Sequence, residues 1–328
     1  MKRYLSIVFF IPLCYLANSQ TNTSLSIPID TTFTPYQAWS KIKNDFPEAT
    51  LVNPSHPGSV SKQLDIIYKT IPETKYGKRN LRLDLYTPTK DGVYPAVIFI
   101  FGGGWRSGDK SMQRPLAMNV ATKGYVTATV EYRLSPEATY PAAVHDIRDA
   151  IKYLRTHAKE LNIDTDRIAI SGCSAGGQLA ALVGVTSGMK KFEGGQDHIP
   201  THVHAIIDID GILDFTDPNE SGKDNNPNKP SAGKQWLGAS YQDDPELWIE
   251  ASPLTYIGEN TPPMLFINSA LPRFHAGRDS AIAIMDKYGI YSEVHTIPNT
   301  PHPFWLFHPW FVPTVMMVTN FLDKVLKE

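Results

Sequence analysis

A serine set between glycines carries the first chemical signal: Gly172-Cys173-Ser174-Ala175-Gly176. The apolar, β-branched run Ile168-Ala169-Ile170 leads into it, and the helix formers Gln178-Leu179-Ala180-Ala181 follow. Strand, sharp turn and helix, in that order, form the setting in which G-x-S-x-G presents a nucleophilic hydroxyl at the tip of a strained turn. Glycine is required on either side because strand and helix approach too closely there for side chains. Cys173 reads as a small, inward-packed filler beside the serine rather than a second nucleophile. A second cluster, Gly102-Gly103-Gly104 between Phe101 and Trp105, closes the apolar run 96–101. Backbone N–H groups in such a loop can converge on a small anion without intruding side chains, as stabilising a tetrahedral oxyanion demands. Gly103 or Gly104 would donate one hydrogen bond and Ala175 the other.

These residues need a scaffold, and the hydrophobic pattern supplies one. The spacing predicts strands over Gln63–Tyr68 and Leu81–Tyr86, the second alternating cleanly through Leu81, Leu83 and Leu85. The continuous apolar run Ala96–Phe101 fits a strand buried on both faces. A helix over Gln113–Lys123, a strand over Tyr125–Val130 and a helix over Pro141–Ala158 follow, the last with apolar residues at helical spacing and proline in its first turn. Beyond the serine helix come a strand over Val203–Ile209 that runs into Asp210-Gly211, a polar insertion over 216–234, and a partly helical stretch, Trp236–Ala251, read as a small cap. Met264–Asn268 and Tyr291–Ile297 read as strands, and Gly277–Tyr288 and Thr314–Leu326 as helices. This alternation implies an α/β fold: a mostly parallel sheet with helices on both faces, its first two strands an antiparallel edge. Ligands then bind beyond the carboxyl ends of the strands, where Ser174 lies.

With 328 residues, 42% hydrophobic and 20% charged, the chain has the composition of a globular protein large enough for one α/β domain with insertions. A formal net charge of −2 and the lack of a basic cluster argue against nucleic acid as a partner. Lys2-Arg3, the apolar stretch Tyr4–Leu16 and the small residues Ala17 and Ser19 read as a signal peptide (1–19) cleaved before Gln20, which predicts a periplasmic or secreted product with no membrane association after cleavage. Residues 20–60 read as an irregular lead-in and 61–328 as the catalytic domain. Cleavage removes Cys14, so Cys173 stands alone and no intrachain disulfide is expected.

Four motifs together, Phe101-Gly-Gly-Gly-Trp105, Gly108-Asp109-Lys110, Glu131-Tyr132-Arg133-Leu134 and Gly172-Cys-Ser-Ala-Gly-Gly177, resemble the α/β-hydrolase fold. Within it, the nearest likeness is to exported carboxylesterases similar to acetyl xylan and feruloyl esterases and to hormone-sensitive-lipase-type enzymes, over about residues 64–328. Such relatives usually carry histidine where this chain has Phe101, a residue that orients the loop rather than reacting. The resemblance implies the order nucleophile, acid, histidine. His302, in Pro298-Asn-Thr-Pro-His-Pro-Phe304, is the expected base; His295 lies inside a strand and His308 further on. The acid departs from the pattern. No carboxylate stands directly after Met264–Asn268, so Asp279 is the first candidate, Asp210 at the tip of the preceding strand the second and Asp214 the third.

The loop that lacks the acid carries Arg273, His275 and Arg278 instead. A guanidinium fork suits a carboxylate, so Arg273 and Arg278 are candidates for reading an acidic sugar. Trp105, with Trp236, Trp305 and Trp310, offers candidate stacking surfaces. Together, resemblance and arginines imply a serine esterase, without cofactor or metal, that removes acetyl or methyl groups from a plant cell-wall carbohydrate ester, pectin first and xylan second. An α/β-hydrolase-fold peptidase and a catalytically weakened carbohydrate-binding relative are the alternatives. His202-Val203-His204 and Asp224-Asn225-Asn226 are weak metal signals because further ligands are lacking. The oligomeric state is left open.

Overall fold

A computed structural model describes residues 26–54, 57–195, 198–221 and 230–328. The expected signal peptide and Asp224-Asn225-Asn226 lie outside the described residues. The strands in chain order are β1 (Thr50–Leu51), β2 (Val60–Ile71), β3 (Arg79–Pro88), β4 (Tyr94–Ile100), β5 (Val126–Val130), β6 (Ile163–Cys173), β7 (Ala205–Ile209), β8 (Met264–Asn268), β9 (Ser292–Thr296) and β10 (Phe307–His308). Eight of them form one sheet in the order β2-β3-β5-β4-β6-β7-β8-β9. The pairs β2/β3 and β3/β5 are antiparallel and the rest parallel. The antiparallel edge expected of the first two strands is thus present and extends to the β3/β5 pair. The short strands β1 and β10 pair with each other and tie the lead-in to the region after His302.

Burial explains the strand sequences. Ala96, Val97, Ile98, Phe99 and Ile100 of β4 are all covered, as a strand with helices on both faces requires. Arg114–Ala121 and Phe311–Leu326 pack together against one face; Ala142–Thr156 and Ala175–Val185 pack together against the other. Each presents its apolar stripe inward, for example Val144, Ile147, Ala150, Ile151 and Leu154 on the third of these helices. This is the α/β-hydrolase architecture.

The insertion between β7 and β8 is more deeply anchored than its polar sequence suggests. Its helices Ala232–Leu237 and Pro245–Ala251 bury Trp236 and Trp248 completely. Phe215 meets both Trp236 and Trp248 there, and Phe215 and Trp236 reach Trp105 at the end of the glycine loop. The cap therefore grips one wall of the site.

The parallel register brings the chemistry together. Ile100 of β4 pairs with Gly172 of β6, and Cys173 of β6 pairs with Ile209 of β7. The glycine loop, the serine turn and Asp210 thus emerge side by side at the carboxyl ends of three neighbouring strands, while the loop carrying His302 follows β9 at the edge.

Candidate active site

Ser174 occupies φ +56°, ψ −124°, a conformation that residues with a Cβ avoid. The surrounding backbone enforces it. A Cβ on Gly172 would stand 1.9 Å from the Gly176 carbonyl oxygen, and one on Gly176 would stand 2.3 Å from that of Ile100. Ser174 N–H donates to Ile209 O at 2.8 Å, which fastens the turn to the end of β7. Ala175 begins the helix Ala175–Val185, so its N–H has no acceptor within the helix and is available to a ligand.

His302 Nε2 lies 2.8 Å from Ser174 Oγ, and His302 Nδ1 lies 2.8 Å from Asp210 Oδ2. A carboxylate beside Nδ1 demands the Nδ1–H tautomer and leaves Nε2 as the acceptor facing the serine hydroxyl. The imidazole is clamped by Phe274, stacked on it at 3.6 Å and 5°, and by Trp305, edge-on at 5.2 Å. Asp210 is fully buried, and its other oxygen accepts the Ser269 N–H at 2.7 Å. Asp210 itself sits at φ +55°, held by its N–H bond to Ile267 O at 2.9 Å.

The expectation that Asp279 is the acid is corrected. Asp279 is exposed at the start of the helix Arg278–Lys287 and accepts a hydrogen bond from Arg278 Nε at 2.8 Å, which, with the guanidinium charge, holds its carboxyl below the ordinary range. Asp214 folds back on its own chain, accepting from Thr216 N–H and Oγ1. Asp210, the second candidate, is the carboxylate that reaches the imidazole.

Facing Ser174 is the turn Gly103-Gly104-Trp105, with φ of +131°, +60° and +58°. A Cβ on Gly102 would lie 2.9 Å from the Ser174 Cβ, so loop and serine are in direct contact. Phe101 stacks on Tyr132 at 4.4 Å, and the Tyr132 hydroxyl donates to the Phe101 carbonyl at 2.9 Å. That pair braces the entry to the loop from the sheet side. Cys173 is buried, which pushes its thiol pKa up and leaves it unreactive.

A cavity of about 190 Å³ opens over Ser174 and His302, walled by Trp105, Ile212, Ala232, Arg273 and Phe274. Of the two arginines expected to read an anion, Arg273 alone lines it, and both edges of its guanidinium that face Glu220 are engaged by that carboxylate. Arg278 is turned to Asn268 Oδ1 at 2.9 Å and to Asp279. The stacking expectation is corrected too: Trp105, Trp236, Trp305 and Trp310 are all buried, Trp105 and Trp236 stack on each other, and Trp305 and Trp310 make T-shaped contacts with Phe304 and Phe46, so of the four only Trp105 reaches the cavity wall. His202 and His204 meet edge to face at 5.0 Å, with His204 Nδ1 accepting the Ile168 N–H. Phe274, Ser269 and Glu220 escaped the sequence reading. Phe274 had a signal, as the one aromatic residue inside the arginine loop; a backbone N–H such as that of Ser269 has none.

Buried behind the acid is a second carboxylate. Asp208, two residues earlier on β7, accepts the Gly211 N–H at 2.8 Å. Complete burial, with Asp210 nearby, pushes its pKa up to about 7.

Comparison with known proteins agrees with this geometry. Over 232 residues the chain is 28% identical to a probable carboxylic ester hydrolase, LipM, of Mycobacterium tuberculosis, an alignment covering 69% of this chain and 51% of that protein. It is 30% identical to the esterase LipC of the same organism over 60% of this chain and 47% of the relative. The chain thus spans about half the length of these curated relatives. Among solved structures, a truncated carbohydrate esterase from gut microbiota superposes with a TM-score of 0.70 at 22% identity, covering 84% of this chain and 100% of that one, a likeness of fold. The family profile BD-FAE matches residues 83–282, more than half of the sequence, and the chain belongs to that family.

Proposed function

We propose that the chain is a serine carboxylesterase that removes acetyl groups from a carbohydrate ester. The observation that carries this reading is the unbroken relay from Ser174 Oγ through His302 to buried Asp210, with 2.8 Å at each link, beneath a cavity faced by the glycine loop. In the proposed reaction the Ser174 hydroxyl gives its proton to His302 Nε2 as Oγ bonds to the ester carbonyl carbon. The carbonyl oxygen becomes an oxyanion, met by N–H groups of Gly103 or Gly104 and of Ala175. The C–O bond to the alcohol breaks as His302 returns the proton to the leaving oxygen. Water, deprotonated by His302, then cleaves the acyl-enzyme and restores Ser174.

The leaving oxygen must lie next to His302 Nε2. On this reading the alcohol departs past Phe274, which stacks on the imidazole, and its neighbour Arg273, and the acyl group is assigned to the remaining wall of Trp105, Ile212 and Ala232, the last beside the glycine loop. A cavity of about 190 Å³ shared between both halves is small against the ~300–1,000 Å³ of ordinary ligand pockets, which favours acetyl over longer acyl chains. The arginines that suggested an acidic sugar are engaged by Glu220 and Asp279. A neutral acetylated polysaccharide such as xylan is accordingly preferred to pectin. Export belongs to the same reading: the pattern of residues 1–19 is that of a signal peptide, and a polymer is met outside the cytoplasm.

Turnover of p-nitrophenyl acetate by the wild type and Ser174→Ala tests the reaction, and acetate release from acetylated xylan and from pectin tests the substrate. Absence of Ser174-dependent turnover rejects the esterase. Faster release from pectin, or methanol in place of acetate, rejects the neutral-sugar reading.

A further inference from the structure

Trp105 ends the glycine loop at φ +58°, a left-handed conformation that is strained for a residue with a bulky side chain. Strain of this kind persists only where the surroundings hold it. The Trp105 carbonyl accepts the Ser135 N–H at 2.8 Å. Its indole lies on Trp236 at 5.0 Å and 14°. Its Nε1–H donates to Gln178 Oε1 at 2.9 Å, and Gln178 is completely buried.

Gln178 is placed to do more than satisfy one indole. It stands on the helix Ala175–Val185, and its own N–H donates to Ser174 O at 3.1 Å. Its Nε2 donates to Ala251 O, at the end of the insertion helix Pro245–Ala251, at 2.9 Å. One side chain therefore joins three elements: the glycine loop, the helix that starts at the nucleophile, and the cap. A buried amide is costly unless both ends are bonded, and here both are.

We infer that Gln178 is a positioning residue that sets the separation between the two halves of the oxyanion hole. One half, the Gly103 or Gly104 N–H, belongs to the loop that Trp105 terminates. The other, Ala175 N–H, belongs to the helix that carries Gln178. Stabilisation of a developing charge depends on donors already held at the right distance, so a hydrogen bond spanning the two elements acts on the transition state without touching substrate. This inference rests on the esterase reading, and the cap enters it through Ala251 and Trp236 as a brace for the catalytic loop.

The test is Gln178→Met, which keeps side-chain length and removes both hydrogen bonds, assayed on p-nitrophenyl acetate with active serines counted by the end point of fluorophosphonate labelling. Ser174-dependent turnover by the wild type is measured in the same series, so failure of the esterase reading shows in that arm alone. Per active serine, kcat should fall about 10- to 100-fold, less than the ~10²–10³-fold typical of deleting an oxyanion donor. KM should change less than about threefold, and the inhibition constant of a trifluoromethyl ketone, whose serine adduct carries an oxyanion, should rise in step with the loss of kcat. If Gln178→Met does not fold, Trp105→Phe breaks the same bond from the loop side and should give the same split. A variant with lowered thermal stability but kcat and ketone affinity within twofold of wild type overturns the inference, because a purely structural role predicts that pattern.

Discussion

Replacing Asp210 with asparagine should be among the most damaging isosteric changes available to this protein, and the hydrogen bonds show why. Asp210 Oδ1 accepts the Ser269 N–H at 2.7 Å, and Oδ2 meets His302 Nδ1 at 2.8 Å. An asparagine has one oxygen and one NH₂ to place in these two positions. The backbone N–H of Ser269 can only donate, so the amide oxygen must stay there and the NH₂ must face the imidazole. Nδ1 then has to accept, the ring proton moves to Nε2, and Nε2 can no longer take the proton of Ser174. The geometry survives and the tautomer is wrong. A comparable change in a serine protease triad lowers kcat about 10⁴-fold, equivalent to about 5 kcal/mol of transition-state stabilisation. Asp210→Asn should therefore lose about 10³- to 10⁴-fold in kcat for p-nitrophenyl acetate, with thermal stability near that of the wild type. Asp279→Asn, on an exposed carboxylate paired with Arg278, should stay within about twofold. A loss below tenfold for Asp210→Asn, or a large loss for Asp279→Asn, would refute the assignment of the acid.

Other outcomes follow from the same contacts. Gly172→Ala sets a methyl group 1.9 Å from the Gly176 carbonyl oxygen, and should destabilise the fold by about 3 kcal/mol or more in chemical denaturation; a shift under 1 kcal/mol would mean the turn is more yielding than described. Ala232→Leu should fill the acyl side of the cavity and suppress even acetate turnover, whereas Ile212→Ala should raise the butyrate-to-acetate ratio of kcat/KM about tenfold; unchanged ratios would remove these residues from the acyl wall. Asp208 binds its proton more readily folded than unfolded, so its contribution favours the native state below about pH 4 and is lost as pH rises toward about 7. Asp208→Asn should abolish that slope and be the more stable protein above pH 7, by at most about 4 kcal/mol at 1.36 kcal/mol per pKa unit, as read by denaturation across pH.

The parts of the site visible in the sequence are those where the backbone itself is under constraint. Close approach at Gly172 and Gly176 excludes every side chain, so the constraint is written as glycine. The buried strands are visible for a related reason: Ala96–Ile100 of β4 and Ile168–Ile170 of β6 are covered on both faces, and apolar runs suit that setting. The pairing of charges was not visible. Arg273 and Arg278 looked like an anion site because nothing local marks Glu220, 53 residues away from Arg273, as a partner. The tryptophans looked like sugar platforms because exposed and buried aromatic residues are spelled alike. Trp236 and Trp248 lie in the stretch read as a partly helical cap, and both are buried as its core, which composition alone does not reveal.

The position of the acid at the end of β7 follows from sheet geometry. β7 and β8 are parallel neighbours, with Ile209 beside Ile267, so their carboxyl ends lie one strand spacing apart, about 4.8 Å. A carboxylate can reach the same imidazole from either end, provided its backbone is aimed correctly. In this chain Ser269 follows β8, where the resemblance leads one to expect the acid, and its N–H donates to Asp210 at the end of β7. Asp210 takes φ +55° to make the reach, and the Ile267 carbonyl one strand over accepts its N–H. β8 and the residue after it thus supply one hydrogen bond to the Asp210 side chain and one acceptor for its main chain. What the reaction requires is a buried carboxylate at one point in space beside His302 Nδ1. That point is shared by two strand ends, and motif spacing therefore identifies the nucleophile far more sharply than it identifies the acid.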